Sequence, residues 1–141
     1  MDVPPAAAKA RAIETGLARW TLGCLAIYFP AETYVSQPEG LWSPFYLVDL
    51  IGMLLLGFGA RRSLAARPRS APALLGFGYA WATSNGWRAT SWRSLAVADG
   101  EPLTFAIWEL WAVGFGTALG LVGCGVCLWL IARAEPSSPS E

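Results

Sequence analysis

The chain has 141 residues, enough for one small domain, of which 55% are hydrophobic and 14% charged; a soluble domain carries about a quarter charged residues. Ten basic and ten acidic side chains cancel, so no net field draws the chain to nucleic acid, which is excluded as a partner. Histidine is absent, which removes the commonest metal ligand, the usual haem axial ligand and the usual general base; no metal and no cofactor are expected.

Residues 1–16 are alanine-rich and mildly basic, with Lys9 and Arg11, and Arg19 follows just beyond. The apolar run that comes next lacks a small-x-small cleavage site, so it reads as an anchor retained as the first membrane helix, with residues 1–16 a cytoplasmic N-terminal segment. That first segment, residues 17–35, holds Tyr28 and Glu32 on one face at i, i+4, and Pro30 predicts a kink. The second, residues 41–60, sets Asp49, Gly52, Leu56 and Gly59 at helical spacing, which puts the acid on a stripe of small residues.

The third segment, residues 71–90, carries a stripe of Trp81, Ser84, Asn85 and Arg88 that runs on to Trp92. Asn-Gly pairs mark turns, so a break near Gly86 is expected. The fourth, residues 103–132, continues from Glu109 through Ala112 and Gly116 to Gly120, Gly123 and Cys127 on one face. A face of this kind lets membrane helices approach closely. Residues 133–141 are rich in proline and serine and predict a disordered cytoplasmic tail.

Four apolar segments near the ~20-residue length needed to cross a bilayer, joined by short connections, predict an all-α, up-down, four-helix transmembrane bundle over residues 17–132. Arg61, Arg62, Arg67 and Arg69 crowd the connection between segments two and three, whereas Glu39, Asp99 and Glu101 occupy the other two. Basic loops stay inside, so a multi-pass protein of the plasma (inner) membrane with both termini cytoplasmic follows.

A helix rises 1.5 Å per residue. Counted from the inner boundary, Asp49, Glu32, Asn85 and Arg88 fall about 18–24 Å up. Glu109 lies higher, and tilt of the long fourth helix lowers it toward the rest. A charge at membrane depth costs a few kcal/mol or more, so such residues mark sites by default. The expectation is an outer-half cavity lined by Glu32, Asp49, Asn85, Arg88 and Glu109 and walled by Tyr28, Tyr46, Trp81 and Trp108. Three carboxylates against Arg88, with Arg93 nearby, make a layer able to hold a proton or a cation; an ion-pair staple joining the helices is the plainer alternative.

Cys124 and Cys127 form a CxxC, and Cys24 lies at similar depth, but the pair sits within a helix with nothing to activate a thiol and reads as packing. The functional expectation is binding or transport of a small amphiphilic molecule, a cation or a proton. Two alternatives stand beside it. One is a membrane enzyme of isomerase or cyclase type, using a carboxylic acid on a lipophilic substrate. The other is a non-catalytic subunit of a larger membrane complex. The partners expected are the lipid bilayer, a lipophilic or cationic small molecule, and a second copy or a larger complex, with Gly57, Gly76 and Gly114 as lipid-facing contact points.

Overall fold

A computed structural model describes residues 5–37, 40, 42–65, 70–100 and 106–133. The chain folds as four helices: α1 (Pro5–Ser36), α2 (Pro44–Leu64), α3 (Ala71–Ala98) and α4 (Ile107–Arg133). The tail from residue 134, Arg67 and Arg69 of the basic connection, and Glu39 and Glu101 of the acidic ones lie outside the described residues.

The helix ends follow from local chemistry. Ser43, in extended backbone, accepts a hydrogen bond from the Tyr46 amide at 3.2 Å, and Pro44 occupies the first helical turn of α2; a hydroxyl cap followed by proline satisfies an orphan amide and presets the helical φ. Gly100, with φ +67°, follows the C-cap of α3, a left-handed position that glycine fills without strain. At the start of α4, Glu109 reaches back to accept from the Ala106 amide at 3.4 Å, the return half of a capping box.

α1 begins at Pro5, well before the apolar run, and includes Pro30. One helix departs from expectation. α3 is unbroken at Gly86: the Asn85 side chain donates back to the Trp81 carbonyl at 3.0 Å, bonding within the helix rather than turning it. Gly86 is instead a point of close approach, because a Cβ there would strike the Thr117 hydroxyl.

Consecutive helices pack side by side, whereas α1 and α4 touch only sparsely. Paired positions run in opposite directions. A Cβ added to Gly59 would stand 2.7 Å from the Leu75 Cα, and one added to Gly78 would stand 2.9 Å from the Leu56 nitrogen, so α2 and α3 meet backbone to backbone. Between α3 and α4 the fit is reciprocal: Thr117 faces Gly86 and Thr83 faces Gly120. Gly52 and Gly59 of the second segment's stripe and Gly120, Gly123 and Cys127 of the fourth's thus serve contact with α3, whereas Gly116 meets nothing. Gly57, Gly76 and Gly114 also face neighbouring helices, against Leu25, Cys127 and Thr90. All three are thus turned toward a neighbouring helix rather than to lipid, Gly76 most tightly, where an added Cβ would come 3.0 Å from Cys127.

The packed core lies toward the end where α2 and α4 finish. Ala18, Ala60, Leu75, Tyr79 and Cys127 cluster there, joined by Leu17, Leu56 and Cys124. α2 and α4 are each long and apolar enough to cross a membrane.

Candidate functional site

Away from the core, the four helices enclose a cleft of about 470 Å³, within the range of small-molecule sites. Its floor is α2 and α3. Gly52, Met53 and Tyr79 are buried there, and Asp49, Trp81 and Asn85 half-buried. Its lips are α1 and α4, where the lining rows Trp20, Cys24, Tyr28 and Ala112, Gly116, Leu119 are exposed. The near absence of contact between α1 and α4 leaves the cleft open along that edge.

The polar groups gather at the end away from the core. Glu32 accepts a hydrogen bond from the Ser36 hydroxyl at 3.2 Å, and Tyr28 lines the cleft beside it. Asp49 projects from α2 into the same region, where Glu32, Arg88 and Arg93 all act on it electrostatically. It makes no hydrogen bond and no direct ion pair among the described residues, so its acceptor capacity is open to the cleft. Arg93 also lines the cleft, with its guanidinium 5.9 Å from the centre of the Trp92 ring.

Trp81 is both wall and staple. Its indole donates to the Val48 carbonyl at 3.0 Å, and Gly52 makes room for the ring: a Cβ there would come 3.0 Å from Trp81 Cδ1. At the core end, the Thr21 and Tyr79 hydroxyls meet at 2.7 Å, and Thr21 donates to the Leu17 carbonyl at 2.8 Å.

Of the nine residues expected to form the cavity, Glu32, Asp49, Asn85, Tyr28 and Trp81 line it. Four do not. Tyr46 is buried between α1 and α2, its hydroxyl 2.9 Å from that of Thr33. Arg88 is exposed and makes no direct ion pair with Glu32, Asp49 or Glu109 among the described residues. Glu109 caps the first turn of α4, and Trp108 beside it is 68% exposed. The row that enters the cleft from α3 advances in steps of four, from Trp81 through Asn85 and Ala89 to Arg93, so the arginine in the cleft is Arg93.

Met53, Leu56, Gly116 and Leu119 complete the lining. Leu56 and Gly116 lie on the stripes the sequence marks, whereas Met53 and Leu119 carry no signal, because an apolar residue facing a cleft looks like one facing lipid. The cysteines divide: Cys24 is exposed on the lip, Cys127 is in the core, and the Cys124 thiol points at the Gly76 carbonyl, 4.0 Å away. Comparison with protein-family models, with curated proteins and with solved structures finds no match.

Proposed function

We propose that this is a small multi-pass protein of the plasma membrane whose outer-half cleft binds or transports a small amphiphilic molecule, a cation or a proton. The observation that carries the reading is the cleft itself: a half-open space in an otherwise packed bundle, with two carboxylates at one end and aromatic and aliphatic walls below. Glu32 and Asp49 repel each other across it, and a cationic group between them relieves that repulsion.

The surface supports the membrane setting. Large apolar side chains face outward on every helix, among them Ile27 and Trp111 at 75% exposure, Leu54 at 63% and Phe77 at 56%. Large exposed apolar surface marks contact with a membrane or a partner. Arg62 lies over Phe58 at 5.7 Å and Arg133 over Trp129 at 4.7 Å, both near the C-terminal ends of their helices. Arginines laid over interfacial rings at one end of a bundle suit a basic, cytoplasmic face, with both termini on that side and the cleft in the outer half.

The test is chemical analysis of small molecules that co-purify from mild detergent with the wild-type chain and with a Glu32→Gln, Asp49→Asn variant. The reading expects a stoichiometric species with the wild type and its loss from a variant that keeps its helical circular dichroism. Equal content in both preparations, or none in either, contradicts it.

A further inference from the structure

The cleft has a direction, and its direction names a ligand class. From Glu32 to Trp20 the lining of α1 descends twelve positions, which is about 18 Å along the helix axis. At the Glu32 end stand Asp49, Asn85 and Arg93; Leu25, Met53 and Leu119 lie along the middle, and the far end is closed by Trp20, Leu56 and the hydroxyls of Thr21 and Tyr79, which bond to each other. The space is therefore charged at one end, uncharged and mostly apolar beyond it, and longer than a compact ion needs. The mouth runs along the same axis, between the exposed rows on α1 and α4.

From these features we infer that the ligand is a single-chain amphiphile with a cationic head, entering sideways from the bilayer between α1 and α4. The inference rests on the reading above that the cleft is a ligand site. The ammonium group sits between Glu32 and Asp49, beside the rings of Tyr28 and Trp81, where the carboxylates and the aromatic faces both favour positive charge. The chain lies along the groove toward Trp20, over the open surface that Gly116 provides, since no other side chain approaches that glycine. The two carboxylates line the cleft with Arg93, while Arg88 is exposed outside the lining, so the wall presented to a head group carries more acid than base. A helix-length mouth facing lipid lets the tail enter without crossing water.

Cys24, exposed on the lip along the tail's part of this path, reports occupancy. The full-length protein in phosphatidylcholine nanodiscs is labelled with N-ethylmaleimide, and the rate at Cys24 is followed by peptide mass. Three probes are compared: dodecyltrimethylammonium, laurate and tetramethylammonium. Dodecyltrimethylammonium is expected to slow labelling in a saturable way, with the other two ineffective. In Asp49→Asn, and separately in Glu32→Gln, the half-protecting concentration is expected to rise about tenfold or more, corresponding to at least ~1.4 kcal/mol of lost binding. Protection by laurate instead, or by tetramethylammonium at similar concentration, overturns the ligand class while leaving the cleft a binding site. Protection by none of the three, together with a wild-type preparation free of co-purifying small molecules, overturns both.

Discussion

The hydroxyl of Tyr79 lies 2.7 Å from that of Thr21, and this bond between α3 and α1 stands where the core gives way to the cleft. Tyr79 belongs to both: it is part of the buried cluster and part of the lining. Tyr79→Phe removes the bond and leaves Thr21 still donating to the Leu17 carbonyl, so no polar atom is stranded. The expected cost is about 0.5–1.5 kcal/mol, the net worth of one hydrogen bond. Reversible denaturant titration in mixed micelles checks it, and a loss well beyond that range would mean that Tyr79 carries packing the bond alone does not account for.

Glycines in this bundle divide into those that permit contact and those that do not. Gly59→Ala and Gly78→Ala drive a methyl group into the backbone of the facing helix, where nothing flexible can yield, and each is expected to destabilise the fold by about 1–3 kcal/mol. Gly125→Ala meets open space and is expected to be neutral, or to gain up to about 1 kcal/mol from helix propensity. The same titration ranks the three. A Gly125→Ala variant as unstable as the other two would contradict the assigned helix contacts.

Cysteine reactivity reads the core without mutation. With no ligand added, N-ethylmaleimide is expected to modify the exposed Cys24 first and the buried Cys127 last, only on unfolding, with Cys124 between them. Peptide mass against time checks the order. Early modification of Cys127 would contradict its place in the buried core.

Orientation has its own test. Ser70 and Asp99 are exposed at opposite ends of α3. In intact cells, a membrane-impermeant thiol reagent is expected to label Asp99→Cys and to spare Ser70→Cys until the membrane is opened. The reverse pattern would put the basic connection outside and the cleft in the inner half.

How far the sequence could be read is itself physical. Four helices were legible because apolar length and short connections leave few alternatives. The faces of Asp49, Gly52 and Gly59 on α2 and of Gly120, Gly123 and Cys127 on α4 were legible because small residues at helical spacing point where helices meet. Arg88 misled because successive neighbours on a helix stand three or four positions apart, and either choice fits a short stripe. Steps of four from Trp81 end at Arg93, whereas a step of three from Asn85 ends at Arg88.

Asn85–Gly86 looked like a turn because those residues make turns in water. Inside the bundle the asparagine bonds within its own helix and the glycine admits Thr117. Glu109 misled because its depth was counted along the whole of α4, although it belongs to the first turn and serves as a cap. The open edge between α1 and α4 had no sequence signature, since it arises from how the helices are placed.

The most direct test of a ligand-filled cleft changes its shape and leaves its charges alone. Gly116 lies on the lip with nothing near its missing Cβ, so Gly116→Phe projects a ring into the mouth while the core and both carboxylates stay as they are. Native mass spectrometry of the two proteins released from mild detergent is the measurement. A bound small molecule is expected on the wild type and none on Gly116→Phe, with equal thermal stability of the ligand-free chains. An adduct retained at full occupancy by Gly116→Phe would contradict a ligand-filled cleft.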